Sequence, residues 1–194
     1  MRVILPHPNN GTAFSLIELL VTLAIASILL VLGLPAIQTT IERSKFKAHV
    51  SELHRATALA RASASIRGVT TSLCPLDSSG KCSNDWSRQL TVFEDKDRNA
   101  MLNDGDVLIR EYNKIDNSSE SMHITRDFSR NAPIRFRSLG DAMGHNGTLK
   151  VCLKGYQELS ATIIISRAGR IRRGEDKDGD GLVENSSGAP VKCV

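Results

Sequence analysis

Four arginines, Arg167, Arg170, Arg172 and Arg173, fall within seven positions, and no acid occurs between Ala161 and Gly174. A guanidinium is a planar fork of donors that matches the oxygens of a phosphate. Ala168-Gly169 reads as a turn between the apolar strand ATIIIS and the basic strand RIRR. Alternate strand residues share a face at a spacing of ~6.7 Å, so Arg170 and Arg172 are expected side by side with Ile171 turned inward. Two forks at that spacing suit a nucleic-acid backbone, with Lys150, Lys154, Arg135 and Arg137 as possible extensions of the patch. The plainer alternative is a charged sheet edge, guarded against pairing.

Two acidic segments imitate the start of a calcium loop: Asp95, Asp97 and Asn99, and Asp176, Asp178 and Asp180 with Gly181. An EF-hand needs glycine at its sixth position and an acid at its twelfth. The later segment has Gly181 but Ser187, and the earlier has Asp106 but Ala100, so exposed Asp/Asn turns without a metal are expected. The acids of EDKDGDGLVE would repel phosphate beside the arginines; they must point away, pair locally or hold a cation. His7, His49, His54, His123 and His145 are scattered, with no nucleophile elbow or phosphate loop. The reading is of a chain that is not an enzyme and needs no cofactor.

Four cysteines allow three pairings, and spacing does not choose among them. PLDSSGK between Cys74 and Cys82 is a loop that a small disulfide could close, leaving Cys152–Cys193 to tie down the end of the chain. Zinc is not expected, since there is no C-x-x-C and no histidine at ligand spacing. An even count in loop-like surroundings points to an oxidising compartment such as the periplasm.

These groups must be positioned by a chain of 194 residues, with net charge +4, 41% apolar and 4% aromatic residues, the size of one modest domain. Residues 1–13 hold Pro6, Pro8, Asn9, Asn10 and Gly11 and are hostile to helix. From Phe14 to Ile37 the chain is apolar for 24 residues save Glu18, Ser15, Thr22 and Ser27. A helix of that length reaches ~36 Å, enough for a bilayer core of ~30 Å. The run is too long for a secretory signal, and no cleavage site follows it. Pro35 is expected to kink or locally melt the helix. Beyond it Phe46, Val50, Leu53, Thr57, Ala60 and Ala64 keep helical spacing as far as a stop at Gly68. From Val69 short strands alternate with Gly/Asn/Asp/Ser clusters, and 113–121 and 138–147 read as loops. The divisions are therefore 1–13 (leader), 14–37 (apolar helix), 38–68 (amphipathic helix) and 69–194 (β-rich domain), an α+β architecture with the helix packed on antiparallel sheet.

Ala13 followed by Phe14-Ser15-Leu16-Ile17-Glu18-Leu19 resembles the class III signal of type IV pilin-like proteins, with Ala for the usual Gly and Ser for Thr. The resemblance implies that prepilin peptidase cuts between Ala13 and Phe14, that the new Phe14 amine is methylated, and that Glu18 meets the amine of a neighbouring subunit. Glu18 also lies one helical turn from its own Phe14 amine. Trp86 with LTVFEDKDRNAMLNDGDVLIR, and the later IRFRSLG, GTLKVCL and ATIIISRAGRIR, are similar to GspH/FimT-type minor pilins, FimT most of all. On that resemblance Gly169-Arg170-Ile171-Arg172 matches the Gly-Arg-x-Arg DNA-binding motif used in natural transformation, helped by Arg167 and Arg173. The implied partners are other pilin subunits, prepilin peptidase, duplex DNA bound without sequence preference, and the inner membrane. The implied topology is a single pass with a cytoplasmic N-terminus and a periplasmic C-terminal domain, extracellular once in a pilus. Arg43, Lys45 and Lys47 after the span argue for the opposite orientation; the cysteines and the leader argue for this one. The alternatives are a minor pseudopilin of type II secretion, or a pilus-priming minor pilin, with the arginines serving protein contacts.

Overall fold

This computed structural model describes residues 15–86, 88–112, 122–128, 133–153 and 156–193; for 32–36, 122–123, 126–128 and 156–158 it describes the backbone alone. Ala13 and Phe14, the loop 113–121 and Lys154 thus lie outside the described residues. Two compact units result, Met1–Glu42 and Arg43–Val194, and one helix, α1 (Leu16–Arg67), contributes to both.

In the first unit the helix carries Glu18 in its first turn, where a carboxylate complements the exposed amide dipoles. The apolar side chains from Leu16 to Val31 are exposed, Leu16 at 76% and Leu29 at 66%. Thr22 and Ser27 turn their hydroxyls back onto the carbonyls of Leu19 and Ala24, at 2.9 and 2.8 Å, which removes most of their polarity from the surface. Among the described residues no helix is long and apolar enough to cross a membrane; described apolar side chains stop at Val31 and resume at Ile37. The helix does not end at Pro35, contrary to the expected local melting. Proline removes one amide donor, and the turns on either side keep theirs.

In the second unit the face expected from spacing is the buried one. Phe46, Val50 and Leu53 are buried, and Thr57, Ala60 and Ala64 are fully so. Thr57 satisfies its hydroxyl on the Leu53 carbonyl at 2.8 Å. Ala56, Ala60 and Ala64 have little bulk, which lets sheet side chains such as Phe136 and Ile163 share one core with the helix. The helix stops at Gly68, whose φ of +66° is the left-handed cap that glycine adopts without a Cβ penalty.

The strands are β1 (Thr71–Pro75), β2 (Leu90–Glu94), β3 (Val107–Tyr112), β4 (Met122–Phe128), β5 (Ile134–Phe136), β6 (Gly147–Leu153), β7 (Tyr156–Ile165) and β8 (Ile171–Arg173). They form two antiparallel sheets rather than one, in the orders β3-β2-β1-β5 and β4-β6-β7-β8. Short apolar runs mark strands, but nothing within β5 says that it returns to β1 instead of joining β6. Cys74 is bonded to Cys82 and Cys152 to Cys193, each with Cα atoms 5.5 Å apart. The second bridge holds the segment after β8 against its own sheet. There Gly174 N–H donates to the Thr162 carbonyl (2.9 Å) and the Thr162 hydroxyl to the Glu184 carbonyl (2.9 Å).

Candidate functional site

The turn between β7 and β8 is built from hydrogen bonds that any sequence could make and one residue that few could replace. Ser166 N–H donates to the Arg170 carbonyl (3.0 Å), Gly169 N–H to the Ser166 carbonyl (2.9 Å), and Arg170 N–H to the Ser166 hydroxyl (3.1 Å). Gly169 is buried at φ +76°, and a Cβ there would overlap the Gly140 carbonyl oxygen. That carbonyl accepts the Arg61 Nε–H of α1 at 3.1 Å, and Ala142 N–H donates to the Arg167 carbonyl at 2.9 Å. Helix, loop 137–142 and arginine turn are thereby fastened at one point.

Strand pairing fixes where the arginines face. Ile171 lies opposite Ile165, and Arg173 opposite Ile163; both partners belong to the core, so this face looks toward α1. Arg173 donates from Nη2 to the Ser51 hydroxyl on α1 at 3.2 Å. Arg172 pairs with Ile164 on the opposite face. Arg170 precedes the strand and lines a groove of about 360 Å³ with His54, Ala58, Arg61, Ala62, Ser65 and Ile171. Arg172 is not among the described residues that line this groove. Arg167 is exposed at the tip of the turn.

A second groove of about 190 Å³ lies further toward the start of the domain and is lined by Phe46, Lys47, Val50, Ala161, Thr162, Arg173 and Gly174. The two grooves flank the Arg173–Ser51 contact and make one seam beside α1. Lys47, Arg173, Arg170 and Arg61 line it, and among the described residues no Asp or Glu does. Burial, and secondarily the Arg173 charge, push the His54 imidazole below its ordinary pKa of 6.5. Lys47, His54 and Arg61 recur every seven residues, so the helical half of this seam was readable as a stripe beside the apolar face; attention to the arginine-rich strand missed it.

Other sequence candidates lie elsewhere. Arg135 is an internal ion-pair partner: its Nη2 is 2.8 Å from Asp95, which is fully buried and also accepts the Ser72 hydroxyl at 2.6 Å. Arg137 pairs with Asp141 at 2.6 Å, and Arg137's hydrogen bond is the main reason the Asp141 carboxyl sits below the usual range. Lys150 is a β6 residue opposite Thr162. None of these three lines the seam.

The acidic segments are held by backbone donors. Asp176 accepts from Gly179 N–H (2.7 Å) and Gly181 N–H (2.9 Å), and Glu184 accepts from Lys177 N–H (3.0 Å). Carboxylate oxygens of Asp176, Asp178 and Glu184 lie within 4.8 Å of one another, as do those of Asp95, Asp97 and Asp106. In the later segment Glu184, not Asp180, joins Asp176 and Asp178; in the earlier one Asp106 joins Asp95 and Asp97. Asp176 and Glu184 thus accept from backbone amides of their own segment.

The family described as Type II transport protein GspH matches residues 49–169, and the Prokaryotic N-terminal methylation motif matches residues 9–34. The first match ends at Gly169, immediately before Arg170. Among curated proteins none matches this sequence. Among solved structures, the type IV minor pilin FimU of Pseudomonas aeruginosa is similar at 21% identity and a TM-score of 0.54, over 79% of this chain and 98% of that one. A second crystal form of FimU gives 20% and 0.50, over 76% and 99%. The minor pseudopilin EpsH of the Vibrio cholerae type 2 secretion system is similar at 16% and 0.46, over 66% and 95%. The FimU likeness shows a shared fold.

Proposed function

The chain belongs to the Type II transport protein GspH family, and from that premise we propose a minor type IV pilin that binds duplex DNA, without sequence preference, for uptake in natural transformation. The observation that carries the DNA reading is the acid-free run of Arg167, Arg170, Arg172 and Arg173 across the β7–β8 turn and β8, with Arg170 and Arg173 opening onto cation-lined grooves. Phosphate neutralisation releases condensed counterions, so log affinity falls with log salt by about 0.9 per phosphate contacted.

The N-terminal unit supports assembly. Its exposed aliphatic surface is suited to burial among like helices in a filament or in lipid. The methylation-motif match includes Ala13 and Phe14, in keeping with prepilin peptidase cleavage between them and methylation of Phe14. Glu18 then neutralises the amine of a neighbouring subunit. The subunit is inserted once in the inner membrane, with its cysteine-bridged domain periplasmic and, in a pilus, extracellular. It is an assembled structural subunit and performs no catalysis.

A second reading, a minor pseudopilin of type II secretion, is favoured by the family's own description and by a match that stops short of Arg170. The test is the full chain in non-ionic detergent, titrated against fluorescent duplex DNA at several salt concentrations. Arg170→Ala with Arg172→Ala is expected to abolish binding and to change stability by under about 1 kcal/mol. A folded double variant that binds like the parent overturns the DNA reading. Mass spectrometry of native material tests the anchor reading: a terminus at Phe14 supports it, and an intact Met1 overturns it.

A further inference from the structure

We propose that Arg61 of α1 is a phosphate ligand, which together with Arg170 forms a seat for one phosphodiester of the bound DNA between helix and turn. The inference rests on the DNA reading above and adds to it a residue outside the arginine turn.

Arg61 is held at one end only. Its Nε–H donates to the Gly140 carbonyl at 3.1 Å, and among the described residues no ion pair or hydrogen bond takes its Nη1 or Nη2. Arg61 Nε lies 3.1 Å from the place a Cβ on Gly169 would occupy, so its guanidinium is beside the backbone that leads into Arg170. Both side chains line the same groove of about 360 Å³, with the His54 imidazole and the Ser65 hydroxyl and, among the described residues, without a carboxylate. Two like charges are thus placed at one opening, an arrangement that repels until an anion enters. Fixing Nε leaves the outer fork pre-oriented, so less side-chain entropy is lost when it takes two phosphate oxygens.

The groove receives a phosphate and its sugar; the duplex itself is far wider and lies across the rims. Arg173 and Lys47 in the neighbouring groove continue the same edge along α1. A strand following the seam meets cations from the helix and from the turn alternately, whereas the turn alone offers a single cluster.

The test compares Arg61→Met and Arg61→Lys in the full chain, titrated in detergent against a fluorescent duplex from 50 to 200 mM salt. Losing one phosphate contact lowers the salt slope by about 0.9, so the affinity drop across that range becomes about 3.5-fold smaller in Arg61→Met. Arg61→Lys keeps the charge and is expected to keep the parent slope. Equal slopes for Arg61→Met and the parent overturn the proposal. So does an equal loss of slope in both variants, which would assign Arg61 to holding Gly140 alone. If the parent itself does not bind while folded, the DNA reading has failed; if it binds and only Arg61→Met is silent, this inference alone has failed. Should Arg61→Met not fold, the parent's own Arg61 Nε–H resonance decides. A saturable shift on adding duplex supports the seat, and no shift while other arginines of the turn move overturns it.

Discussion

Gly169→Ala separates a glycine that is merely tolerated from one that the packing requires. Gly169 has φ +76°, and the left-handed region costs an L-residue about 1–2 kcal/mol. The added methyl would also overlap the Gly140 carbonyl and crowd Arg61 Nε at 3.1 Å. Backbone cannot rotate away as a side chain can, so overpacking adds about 1–3 kcal/mol. The expected total is about 2–5 kcal/mol. Gly68 supplies the control, with φ +66° and nothing within 4 Å of its missing Cβ. There only the conformational cost of about 1–2 kcal/mol applies. The lowered entropy of the unfolded chain is common to both substitutions and cancels in the comparison. Urea denaturation of the two full-length variants with disulfides intact should place Gly169→Ala about 1–3 kcal/mol below Gly68→Ala. Agreement within about 0.5 kcal/mol, the size of an ordinary surface change, would refute the fastening of the turn to Gly140.

Arg135→Met should cost about 3–5 kcal/mol in the same assay, because it leaves the fully buried Asp95 carboxylate without its cation. Arg137→Met, at a pair whose arginine is exposed and whose Asp141 is half-buried, should cost less, about 1 kcal/mol; comparable losses would refute the distinction. On chain entropy, losing Cys152–Cys193 (separation 41) should cost about 4 kcal/mol and losing Cys74–Cys82 (separation 8) about 2.5 kcal/mol, an order that paired serine variants check by denaturation. His54 should titrate by NMR below 6.5, and Arg173→Met should raise the midpoint only part-way, since burial is the larger cause. The sign follows: a histidine kept neutral by the fold contributes stability that is complete above 6.5 and is lost as pH falls through the folded-state value. A midpoint at or above 6.5 would refute it.

Helical spacing from Phe46 to Ala64 placed the buried face of α1 correctly because burial on a helix is local: every third or fourth side chain meets the same neighbour. The strands were legible as apolar runs for the same reason. Sheet membership was not, since the pairing of β5 with β1 depends on residues 63 positions apart, Ser72 opposite Arg135. The site followed the same division. The arginines were visible as a cluster, and strand alternation already set Ile171 and Arg172 on opposite faces; that Arg170 lines a groove beside α1 depends on the packing of the turn against the helix, which no local pattern reveals. Arg135 looked like a surface cation because nothing near it in sequence reveals Asp95. Lys47, His54 and Arg61 were legible as a seven-residue stripe, but their meaning depended on the turn that packs beside them.

β8 divides the charges of the C-terminal region. Its α1-facing side carries Arg173 over Ser51, with Arg170 just before it in the turn beside the helix groove. Its other side carries Arg172 opposite Ile164, the same side on which the segment after Gly174 is drawn over Thr162. The acids of that segment are turned onto their own backbone amides, Asp176 onto Gly179 and Gly181, and Glu184 onto Lys177. This edge of the sheet thus presents Arg173 toward α1 while Asp176 and Glu184 are hydrogen-bonded to nearby amides. The Cys152–Cys193 bridge, with Cys152 on β6, therefore fastens the end of the acidic segment to the sheet that carries β8.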